Sequence, residues 1–100
     1  MTEPRVACKT PADGRDGVTN IPKWKFDLLR RAILDVLRRG EIEFRGLKDA
    51  VRADLASVDL AALGSIGWHV TTAKLELDVR GEVDRVPGQT PQVIRLAKAT

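Results

Sequence analysis

The chain predicts an α+β domain: three helices and a small antiparallel sheet, preceded by an N-terminal strand or hairpin arm. Three observations predict it. Apolar residues recur at helical spacing across residues 29–37 and again across 44–55. A third apolar-rich segment, Ser65 to about Arg80, runs into Gly81, a residue suited to the turn that stops a helix. Two short β-rich runs, Val83–Val86 and Val93–Leu96, then flank the turn-forming tip Pro87-Gly-Gln-Thr-Pro91.

One hundred residues, 43% hydrophobic and 31% charged, suit one ordinary globular domain with a modest core. We divide it into an arm over residues 1–21 and a main domain over 22–100. In the arm, Arg5–Lys9 carries Val6 and Cys8 in alternation, as a short strand would. Pro11–Gly17 is dense in turn formers, and Val18–Ile21 can return as a second strand. An unstructured tail is the competing reading.

The first helix follows. Pro22 suits a first helical position, where its missing N–H has no partner to lose, and Asn20 is placed to cap it. Leu29, Ala32, Ile33, Val36 and Leu37 then form one buried stripe, with Arg30, Arg31, Arg38 and Arg39 beside it. Gly40 ends the helix. Glu41–Phe44 alternates polar and apolar residues like a short edge strand. Phe44, Leu47, Val51 and Leu55 set the core face of a second helix, and Ser57–Gly64 is a connection with room for a helical turn. Ser65 is placed to cap the third helix. The short strand between the first two helices can join the final hairpin in a three-stranded sheet.

Leu77-Asp-Val-Arg-Gly81-Glu-Val83-Asp-Arg85 resembles the junction between recognition helix and wing in the winged helix-turn-helix superfamily. The order of elements resembles that superfamily over roughly residues 22–97. Gly67-Trp68-x-Val70-x-Thr72-x-x-Leu75-x-Leu77, with Lys25-x-Asp27-Leu28-Leu29-Arg30-x-Ala32-Ile33-Leu34, also resembles a small uncharacterised bacterial family of winged-helix-like proteins. The superfamily resemblance implies a DNA-binding domain of transcription-regulator type, its third helix in the major groove and its wing on the backbone. The side chains it offers to double-stranded DNA are Lys23, Lys25, Arg45, Lys48, Arg52, Thr71, Lys74, Arg85 and Arg95.

Charge distribution argues for caution. The net charge is +3, and all of it lies in residues 22–57, with nine Lys and Arg against six Asp and Glu. The third helix and its following strands are neutral. Basic residues at such spacing are more often a solvated helix face than a phosphate track. On a helical projection Ile66, Val70, Ala73 and Leu77 cluster within about 60°, making a core face. Trp68, Thr72, Leu75 and Val79 cluster on the opposite side. A helix apolar on two opposite sides is usually covered on both. The cover would be the arm, through Val6, Cys8 and Val18, or a second copy or other protein partner. The alternative function is therefore a protein-interaction or homodimerisation module that does not read DNA.

No catalytic, metal or cofactor constellation stands out. His69 is the single histidine and Cys8 the single cysteine, so neither a zinc spacing nor an internal disulfide can form. A flank histidine bonded to Glu76 or to a backbone group is the bland and preferred reading of His69. Enzymatic function is the least favoured class. No apolar run reaches the roughly 20 residues of a membrane span, and MTEPRVACKT lacks a signal peptide's apolar stretch. A cytoplasmic location is expected.

Overall fold

Arg5–Lys9 (β1) and Val18–Pro22 (β2) pair antiparallel, with Val6 opposite Ile21 and Cys8 opposite Thr19. The computed structural model describes residues 4–9 and 18–97. The expected turn at Pro11–Gly17 lies outside the described residues. Among the described residues the arm is therefore a pair of antiparallel strands, and Cys8 and Ile21 bury their side chains in the main core.

Strand β2 passes directly into helix α1, Lys23–Arg38. Asn20 sits within β2, not at the helix cap, and Pro22 occupies the cap position itself. The cap is made by the arm instead: the Lys23 N–H donates to the Pro4 carbonyl at 2.8 Å. One otherwise orphaned helix-start donor is thus satisfied, and the two ends of the hairpin are tied together. All five residues of the expected stripe are buried, joined by Phe26 and Leu34 because α1 is packed on more than one side.

Ile42–Glu43 (β3) leads into α2, Phe44–Asp54, whose Leu47 and Val51 are fully buried. The described residues hold four helices, not three, since Ser57–Leu63 forms α3. Seven residues are too few to show a periodic stripe in sequence. Leu63 anchors α3 in the core and Leu60 packs partly against it. Ile66–Val79 forms α4, with Ser65 as its N-cap, its Oγ accepting from the Trp68 N–H at 3.4 Å.

Val83–Arg85 (β4) and Val93–Leu96 (β5) complete a three-stranded antiparallel sheet in the order β3-β5-β4. Ile42 and Arg85 flank Ile94 on either side. The end of α4 explains how the chain turns into that sheet. Gly81 takes φ +75°, its N–H donates to the Asp78 carbonyl at 3.1 Å, and the Glu82 N–H donates to the Leu77 carbonyl at 2.9 Å. These two bonds close a Schellman motif. Glu82 then forms an ion pair with Arg30 of α1, fixing the motif to the central helix. No helix among the described residues is long and apolar enough to cross a membrane.

Candidate interaction surface

Helix α4 meets a different neighbour on each of three sides. Its first face, Ile66, Val70, Ala73 and Leu77, is buried in the core as expected. One flank faces α2. A Cβ built on Gly67 would lie 3.4 Å from the Lys48 Cδ, and the Lys74 ammonium sits 4.6 Å from the centre of the Phe44 ring. The other flank faces the arm, where Cys8 lies in the electrostatic reach of Glu76 and Arg80. Arg80 forms an ion pair with Glu76 at 2.8 Å and stacks over Phe26, 4.6 Å from its ring centre.

The fourth side is open. Trp68 is 49% exposed and Val79 43%, with Thr72 and Leu75 half-buried between them. The described residues of the arm thus pack on α4 without covering this stripe. Val6 is half-buried beside the core and Cys8 is buried, whereas the side chain of Val18 lies outside the described residues. Among the described residues, Trp24 and Val58 are the other large hydrophobic side chains called exposed, on α1 and α3.

His69 packs edge-on against the Trp68 ring, with centroids 4.8 Å apart, and is itself buried. Its Nδ1 lies 2.6 Å from the Ser65 carbonyl. A carbonyl can only accept, so Nδ1–H is the donor and the histidine is a strut at the helix start. The expected backbone partner is therefore the Ser65 carbonyl.

The side chains offered to DNA are dispersed and mostly engaged. Lys23 pairs with Asp27 at 2.6 Å, and Arg45 with Glu43 at 2.8 Å. Arg95 pairs with Asp84 at 3.3 Å. Lys25 donates to the Leu63 carbonyl at 3.3 Å and lies 5.6 Å from the Trp24 ring. Lys74 requires correction as a phosphate contact. It is 1% exposed, paired with Asp78 at 2.8 Å, and closed off under Phe44. The Gln92 amide oxygen, oriented as the donors around it require, accepts from Lys74 Nζ and Arg85 Nε, both at 3.1 Å. Thr71 is exposed beside the open stripe. Lys48 and Arg52, one turn apart on α2, are exposed and have no carboxylate partner among the described residues.

Elsewhere the surface offers little chemistry. Two open clefts of about 340 and 350 Å³ lie on either side of Asp54, lined partly by the residues of the Arg39–Asp54 pair and by Arg31 and Asp35. No group of three or more His, Cys, Asp and Glu among the described residues is placed to hold a metal ion. Burial pushes the Cys8 thiol up to about 11, and the nearby Glu76 carboxylate adds to the rise against Arg80. A thiol so held is protonated at neutral pH and a poor nucleophile.

The sequence shows the second apolar stripe and raises the expectation that the arm or a partner covers it; in the folded chain the stripe stays open, and Lys74, expected on the surface, is buried. The signal was available: on the helical projection Lys74 lies only about 70° from the centre of the core face. No curated protein and no solved structure matches the chain. A family model does match, over residues 5–94, which takes in both strands of the arm, the four described helices and the sheet as far as Ile94, and the chain belongs to that family of unknown function, DUF6958.

Proposed function

We propose that the chain is a non-enzymatic protein-association module, built on a winged-helix scaffold whose α4 docks a protein and does not read a duplex. The observation that carries this reading is the outer face of α4, where Trp68 and Val79 stand nearly half exposed at opposite ends. A helix lying in a major groove presents Arg, Lys, Asn, Gln or Ser/Thr to base edges and has basic neighbours on the phosphates. Here the stripe offers Thr72 alone among such groups, and Lys74 is withdrawn into the core. Eight ion pairs hold eight of the fifteen Lys and Arg among the described residues in local contacts. An exposed apolar patch ringed by satisfied polar groups is the usual mark of a protein contact. A reducing, cytoplasmic setting suits a chain with one cysteine.

The test is a titration with mixed-sequence duplex DNA across a salt series, together with the solution mass of the wild type and of Trp68→Ala. Absence of duplex binding at low salt, with association lost in Trp68→Ala, is the expected result. Tight duplex binding that falls steeply with salt and weakens in Lys48→Ala and Arg52→Ala would overturn it in favour of a phosphate-contacting regulator.

A further inference from the structure

The open stripe on α4 has a spacing that singles out one partner. Trp68, Thr72, Leu75 and Val79 are separated by four, three and four residues, the spacing of a coiled-coil seam. That order is the same in both directions along the helix. We propose that the occupant of this face is a second copy of the chain, its α4 antiparallel to the first about a two-fold axis beside the midpoint of α4. The inference rests on the outer face of α4 being a docking surface, and it names what docks there.

Side-chain size supports the antiparallel sense. A two-fold axis between Ala73 and Lys74 sets Trp68 against the partner's Val79 and Thr72 against the partner's Leu75. Each contact then joins a larger side chain with a smaller one, and each occurs twice, as an isologous interface demands. A parallel pair would instead set Trp68 on Trp68 and leave the Val79 ends facing one another.

Charge gives an independent argument. Lys48 lies over Gly67 at the start of α4, exposed and without a carboxylate partner among the described residues. Asp78 lies eleven residues beyond Gly67, about three turns on and only about 20° away in projection, and because it already holds Lys74 of its own chain at 2.8 Å, Lys48 would join that pair as a second cation. Lys48 and Asp78 therefore occupy the same flank at opposite ends. The axis brings like flanks together while reversing their direction, so Lys48 meets the partner's Asp78, and this too happens twice. A parallel two-fold pair would instead set this flank against the partner's Glu76–Arg80 flank, and Lys48 would not meet the partner's Asp78. The opposite flank adds no repulsion, because Glu76 and Arg80 are already paired there beneath the arm.

The size of the face sets the strength. Fourteen residues of α4 span about 21 Å, and one helix face falls short of the roughly 800 Å² per partner of a standard interface. The α2 and β1 rims supply the remainder only in part. A weak, reversible association is expected, with a dissociation constant on the order of 10–100 µM as the working range for its test.

Analytical ultracentrifugation of the full chain from about 10 µM to 1 mM, a range set to bracket that constant, is the first measurement. The expected result is a reversible monomer–dimer equilibrium, weakened at least about tenfold in Trp68→Ala and several-fold in Lys48→Asp. Thermal unfolding of each variant checks that it is folded. The direction of pairing is read by oxidising a mixture of Trp68→Cys and Val79→Cys chains at high concentration. The mixed pair keeps its second Trp68–Val79 contact, and buried Cys8 stays out of the reaction. A disulfide dimer in the mixture, with little in either variant alone, is expected. A chain that remains monomeric at the highest concentration overturns the pair. A dimer that gives no mixed disulfide overturns the antiparallel arrangement and leaves the docking face standing. Steeply salt-dependent duplex binding by a monomer overturns both.

Discussion

Replacing Gly81 by alanine isolates the device that turns α4 into the sheet. Gly81 sits at φ +75°, and a Cβ added there would meet no heavy atom within 4 Å. No clash contributes, so the cost is conformational. A side chain in the left-handed region costs about 1–2 kcal/mol, partly offset by the smaller entropy that alanine loses on folding. The net loss is about 1 kcal/mol, which lowers the melting temperature of a domain of this size by roughly 4–8 °C. Asparagine tolerates the same conformation better, so Gly81→Asn is expected to fall between the wild type and alanine. D-alanine introduced by chemical ligation prefers positive φ and is expected to match or exceed wild-type stability. Far-UV circular dichroism on heating reads all three. A Gly81→Ala protein melting within about 1 °C of the wild type would refute the reasoning, because it would mean the strained turn carries no cost.

Three further outcomes follow from the same contacts. The hydrogen bonds from Arg30 hold the Glu82 carboxyl below its usual value of 4.5, so the pair contributes stability above that pH and loses it as pH falls through the lowered value. Glu82→Gln is expected to flatten acid unfolding in that window and to cost under about 1 kcal/mol at pH 7, since both groups are partly solvated. Cys8, pushed up to about 11 from 9.0, carries about 100-fold less thiolate at neutral pH, and its alkylation is expected to slow at least as much relative to urea-unfolded protein. Equal rates in the two states would contradict its burial. Ser65→Ala removes a long cap bond of 3.4 Å and is expected to cost about 0.5–1 kcal/mol by chemical denaturation, at the low end for an N-cap.

Much of the fold was legible because periodicity reports burial directly. The stripes at Leu29–Leu37 and Phe44–Val51 are the residues that pack, and Gly81 stops α4 where the sequence places the stop. The three-stranded sheet also follows from the order of short β-rich runs. What periodicity does not report is which distant element covers a given flank. Lys74 reads as a surface cation because lysines usually are, yet Phe44 and Gln92 close over it from α2 and from the start of β5. Asn20 reads as a cap because Asn often caps. The hairpin partner of β2 supplies the Pro4 carbonyl at the helix start instead, a contact between residues nineteen apart. Helix α3 was hidden by its length.

The same limitation explains why the open stripe was the most informative part of the sequence. Its apolarity opposite the core face could be read from spacing alone, but its cover could not. With the arm placed, the candidates narrow. The hairpin occupies the Glu76–Arg80 flank and α2 the Lys74–Asp78 flank, leaving Trp68 and Val79 between two walls. Covering a nearly half-exposed tryptophan is worth more than any one of the surface ion pairs, each of which contributes about 0–1 kcal/mol. In the proposed dimer, association through this face would depend first on apolar area, and Lys48 and Asp78 would favour the antiparallel direction of pairing. Salt should accordingly weaken the association only slightly, whereas phosphate contacts would make it fall by orders of magnitude over the same range.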